Sequence, residues 1–158
     1  KDVLAAIDKI VKKDDRDSVD NIDVKVTKKR YSLTKSNLLI QKEINSAIKK
    51  QRIIFKRLST QVAPQSAKTI KKIATILKKY KKIKIEVAGH TDAKGADDVN
   101  EWVSLTRAKS VRKELIKLGI NKNRITAKGY GESKPIVKND PQGYSTINRR
   151  VELNIIEE

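Results

Sequence analysis

The chain of 158 residues has no cysteine and a single histidine, His90. Without cysteine there can be no disulfide, no thiol nucleophile and no cysteine-ligated metal. One histidine among scattered carboxylates leaves no ligand set, so neither a metal nor a cofactor is expected. No serine has an obvious base, and paired histidines are ruled out. Asp92 and Glu101 could be taken for a catalytic carboxylate pair, but nothing in the spacing fixes their separation. Aromatic residues make up only 4% of the chain. That leaves few stacking surfaces for single-stranded nucleic acid, and no helix-turn-helix, finger or RNP pattern is found. No segment approaches the roughly 20 apolar residues that cross a bilayer as a helix.

What is abundant is positive charge. Lysine and arginine number 37 against 19 acidic residues, a formal net charge of +18. Residues 51–158 carry +13 of it and residues 1–50 only +5. Such a field concentrates anionic partners and weakens with salt. It gives the sign of a partner without naming one, so a basic nucleic-acid-binding module is an alternative on charge alone.

Hydrophobic periodicity divides the chain. In residues 1–50, Val3, Leu4, Ile7, Ile10 and Val11 recur at a helical interval, and Ile22, Val24 and Val26 alternate as a strand. Tyr31 and Leu33 could extend that pattern into a second strand. Ser36 is placed to cap a helix with Leu39, Ile40, Ile44, Ala47 and Ile48 on one side. This small α/β segment has few apolar residues and is expected to pack on something else, as an interaction module, a linker or half of a domain. Residues 51–158 alternate more clearly. Ile53–Phe55 reads as a strand, and Pro64 opens a helix with Ile70, Ile73, Ala74 and Leu77 at 3–4 spacing. A strand at Ile83–Val87 and a helix from about Asp97 to Leu118, capped by Gly119, come next. Strands at Ile125–Gly129 and Val151–Ile155 follow. The order β-α-β-α-β-β, with one long connection from Gly131 to Asn148, predicts an α+β fold: a mixed sheet with helices on one face.

Gly89-His90-Thr91-Asp92 is followed by Gly95, Asn100, Ser104, Arg107-Ala108 and Val111. Gly129-Tyr130-Gly131, Pro135, Asn139, Gly143 and Asn148-Arg149-Arg150-Val151 come later in order. With Phe55, Pro64 and Tyr80 upstream, this set resembles the signature of the OmpA-like domain over about two-thirds of the chain. Val103 stands where that family often has leucine. Residues 1–50 are similar, more loosely, to the second half of a BON-type domain.

The resemblance implies a domain of the periplasm and bacterial cell envelope that grips peptidoglycan without cleaving it. Its parent protein would be associated with the outer membrane. It implies contact with the diaminopimelate of the stem peptide through Asp92 and Arg107, with Asn100, Arg149 and Thr91 as further contacts. Their chemistry suits that ligand. Diaminopimelate presents an ammonium and a carboxylate on one carbon, and a planar guanidinium can donate two parallel hydrogen bonds to the carboxylate. Asn100 and Arg107, seven residues apart, share one stripe of a helix. Free N–H groups at the start of that helix are expected to add anion-binding capacity. His90 reads as structural, and Gly89, Gly95, Gly129 and Gly131 as positions of backbone freedom.

Overall fold

The computed structural model describes residues 33–157. The helix expected at 3–11, the strand at 22–26, Tyr31 and the BON-like similarity fall wholly or mainly outside them. Helix α1 spans Lys35–Lys50. Its cap is Thr34, whose Oγ1 accepts from the Asn37 amide at 3.2 Å, not Ser36. Ile40, Ile44, Ala47 and Ile48 form its buried stripe, whereas Leu39 is 59% exposed. Spacings of four, seven and eight from Ile40 hold one face, and Leu39 is turned about 100° away from it.

Pro64 opens a short 3-10 turn, Pro64–Ser66, that runs into helix α2, Ala67–Lys79. Strand β1 spans Lys84–His90 and helix α3 Asp97–Lys117. Strand β2 spans Ile125–Gly129 and strand β3 Arg150–Ile156. Past the C-cap Leu118 of α3, Gly119 adopts φ +100° and donates to Ile116, while the Ile120 amide reaches Leu115. That is a Schellman closure, which favours glycine at this point.

The three-stranded sheet has order β2-β1-β3, with β1 parallel to β2 and antiparallel to β3. Register places Ile85 beside Ile125 and Ile155, and Val87 beside Ala127 and Leu153. All of these point to one face, where the helices lie, so the fold is mixed α+β as expected. Glu86, Thr126 and Asn154 align on the opposite, polar face.

One expectation about the sheet needs correction. Ile53–Phe55 does not join the sheet, and Phe55 makes only an isolated antiparallel bridge to Val62. The edge it would have used is occupied: Gln41 of α1 donates to the Leu153 carbonyl and accepts from the Ile155 amide at 2.8 and 2.7 Å. A glutamine thus takes the place of a neighbouring strand, and the Ile54 amide turns to Ser66 Oγ. Ile40, Ile44, Ala47 and Ile48 of α1 share one hydrophobic cluster with Ile70, Leu77, Val87 and Leu153. The core therefore continues across residue 50.

Candidate functional site

The site begins with two glycines that act by having no side chain. A Cβ on Gly89 would lie 2.1 Å from the Ser104 carbonyl oxygen, and one on Gly129 2.4 Å from the Leu105 nitrogen. These residues are register partners in β1 and β2, so the backbone of α3 rests directly on the sheet at this point. Gly89 and Gly129 thus serve close approach, whereas Gly95 and Gly131, at φ +93° and +54°, fit the expected backbone freedom. Beyond the contact, β1 ends and Thr91-Asp92 turns toward the start of α3.

Asp92 is 4% exposed. One carboxylate oxygen accepts from the Lys94 amide at 3.1 Å; the other accepts from the Ser145 amide at 3.0 Å and lies 3.2 Å from Arg149 Nε. An ionised carboxylate has about four acceptor positions, so one remains. Asn100, also buried, donates to the Asp92 carbonyl at 3.4 Å, and the Thr91 hydroxyl donates to that same oxygen at 2.9 Å. The Thr91 amide bonds the Gly131 carbonyl. Thr91 and Asn100 thus shape the turn that presents Asp92.

Arg107 and Arg149 line one cleft of about 210 Å³, together with Arg52, Phe55, Ser104 and Thr146. Arg107 stacks over the Phe55 ring at 5.1 Å and donates to the Ser59 carbonyl at 3.2–3.3 Å. Burial, then the like charge of Arg149, lowers the Arg107 guanidinium from its ordinary value. The Arg149 side chain is 44% exposed. Arg150 also reaches the cleft but is committed elsewhere, to Glu152 at 2.6 Å and to the carbonyls of Asn148 and Lys134. His90 is buried and stacks on Tyr130, with ring centroids 5.1 Å apart.

The start of α3 differs from expectation. Its first turn carries Asp97 and Asp98, and the Val99 amide is taken by the Asp98 carboxylate. Glu132 faces the same turn. A hydrogen bond shared with Asp97, followed by burial and the charges of Asp97 and Asp92, raises its carboxyl from the ordinary value, although Asn100 opposes this. That end is therefore acidic and suits a cation, not an anion. The site has two poles, carboxylates around Asp92 and guanidiniums around Arg107.

Sequence reasoning missed Arg52, Ser145 and Glu132. Arg52 donates to the Thr146 and Arg149 carbonyls at 3.1 and 2.6 Å, bracing the loop that carries Arg149. No local spacing marks these residues, because each acts on a segment distant in sequence. Asn148, fully buried, was read only as part of the motif. It accepts from the Ile136 and Val137 amides and donates to the Val137 carbonyl and Asn139 Oδ1, pinning the long connection.

Comparison with known proteins agrees with this architecture. The chain is 42% identical over 94 residues to outer membrane porin F of Pseudomonas fluorescens, covering 60% of the chain and 29% of the porin. It is 36% identical over 103 residues to the probable lipoprotein YiaD of Escherichia coli, covering 65% and 47%. The peptidoglycan-associated lipoprotein of Buchnera aphidicola is 33% identical over 98 residues, covering 62% and 57%. The chain thus spans from under a third to just over half of these relatives. Among solved structures, the peptidoglycan-associated lipoprotein of Burkholderia pseudomallei superposes with TM-score 0.59 at 28% identity, covering 66% of this chain and 88% of that one. The C-terminal domain of Helicobacter pylori MotB gives 0.59 at 29%, covering 67% and 83%. The OmpA family profile matches residues 54–149, more than half the chain and the part that holds Asp92, Arg107 and Arg149, so the protein belongs to the OmpA family.

Proposed function

We propose that this chain binds peptidoglycan non-covalently through the diaminopimelate of the stem peptide, and so anchors a cell-envelope protein to the wall from the periplasmic side. The observation that carries this reading is the pairing of a nearly buried Asp92 with the Arg107–Arg149 cleft, bridged at 3.2 Å by Arg149. Relatives named peptidoglycan-associated lipoproteins support the same polymer.

The ligand ammonium takes the acceptor position of Asp92 that Arg149 holds, along with the one that remains. Arg149, freed from the aspartate, joins Arg107 on the ligand carboxylate, where guanidiniums donate in parallel pairs. Thr91 and Asn100 hold the Asp92 turn in place. These residues hold and orient charge, and the domain acts without cleaving its ligand.

Sedimentation with purified diaminopimelate-containing sacculi tests the reading. A charge-assisted hydrogen bond contributes about 1.5–3 kcal/mol, so Asp92→Ala and Arg107→Ala are each expected to weaken binding about 10- to 100-fold. Arg107→Lys, which keeps the charge and loses the fork, should recover only part of it. If folded Asp92→Ala and Arg107→Ala proteins sediment like wild type, the site is wrong. Release of soluble muropeptides on prolonged incubation would overturn the non-catalytic part.

A further inference from the structure

We infer that the outward face of α2 is a contact surface for an anionic lipid bilayer, separate from the Asp92 site. Between Glu43 and Glu86 the chain has no acidic residue at all but thirteen lysines and arginines. Five of these, Lys68, Lys71, Lys72, Lys78 and Lys79, lie on α2 and are exposed. At 100° per residue they fall within about a third of the helix circumference, along a stripe roughly 16 Å long. Exposed Lys81 and Lys82 extend it past the helix end.

Glu43 of α1 borders this face, sharing a shallow groove with Lys50, Lys72 and Thr75. Among the described residues, no side-chain ion pair involves an α2 lysine. The apolar side of α2, with Ile70, Ile73, Ala74 and Leu77, is committed to the core. Nothing on this helix can therefore insert into a membrane, and its outward side can act only by charge.

The form of the surface selects the partner. A stripe on the convex side of a helix meets a plane of headgroups with all five ammonium groups at once. A single anionic strand would need a groove or stacking platforms, and aromatic residues are scarce. Lysine is also the less suited of the two cations for bidentate phosphate recognition, as expected for a surface that reads charge density alone. Lysines near an anionic membrane surface contribute about 1 kcal/mol each, which is about a fivefold gain in affinity per residue.

The test is vesicle co-sedimentation of the whole chain at low and physiological salt. The vesicles are phosphatidylcholine alone, or phosphatidylcholine mixed equally with phosphatidylglycerol. Wild type should sediment with the mixed vesicles only, and less as salt rises. Combining Lys71→Gln, Lys72→Gln and Lys78→Gln should weaken that binding on the order of 100-fold while leaving Asp92-dependent sacculus binding intact. Asp92→Ala should do the reverse, so failure of one reading leaves the other standing. Equal sedimentation with both vesicle types, or a triple variant that binds like wild type, overturns the inference. So does retention of duplex DNA at physiological salt by a protein that ignores the vesicles, which would reassign the face to nucleic acid.

Discussion

Glu152 and Arg150 sit on β3 beneath the buried His90, with the Arg150 side chain 4% exposed and Glu152 24%. Burial alone would raise the Glu152 carboxyl. The charges of Arg150 and His90, and hydrogen bonds from Arg150 and Asn154, outweigh it and hold the carboxyl below the usual range. A carboxyl depressed in the folded state contributes stability that is complete above its unfolded value near pH 4.3 and is lost as pH falls through the lower folded value. Urea midpoints should therefore drop as pH falls from about 5 toward 3. Glu152→Gln should cost about 1–3 kcal/mol at neutral pH and flatten that acid limb; an unchanged limb would remove Glu152 from the account. At this scale the ordered motif made Asp92, Asn100 and Arg107 legible as positions. Their hydrogen-bond partners were not, because Ser145 lies 53 residues from Asp92 and Ser59 lies 48 from Arg107.

Among the elements, those whose apolar residues kept a clean period were readable: β1, α2 and β3 fall where alternation or 3–4 spacing placed them. Ile53–Phe55 has strand-like residues but does not pair with the sheet, whose β3 edge is held by Gln41, 112 residues from Leu153. The stripe of α1 was readable except at its margin. Ile44 is fully buried and Leu39 mostly exposed. Ile44→Ala is expected to destabilise the fold by about 2–5 kcal/mol, and Leu39→Ala by no more than about 0.5 kcal/mol. Equal effects in urea denaturation would mean that α1 is not seated as described, and that residues 33–50 are separable from the rest.

For the molecule as a whole, a net charge of +18 works against compactness by self-repulsion. Screening relieves this: the Debye length falls from about 30 Å at 0.01 M salt to about 10 Å at 0.1 M. Thermal midpoints measured with sodium chloride should rise across that range; a fall would mean that favourable pairs such as Glu152–Arg150 outweigh the repulsion. The direct seating of α3 on β1 and β2 at Gly89 and Gly129 has a different reach. The gap between the acidic and basic poles is gauged by main chain against main chain, with no packed side chain as a spacer. Substitutions elsewhere in the interior can then exchange volume and shift thermal endurance while leaving the spacing of the two poles unaltered. Homologues with drifting interiors would keep that same spacing.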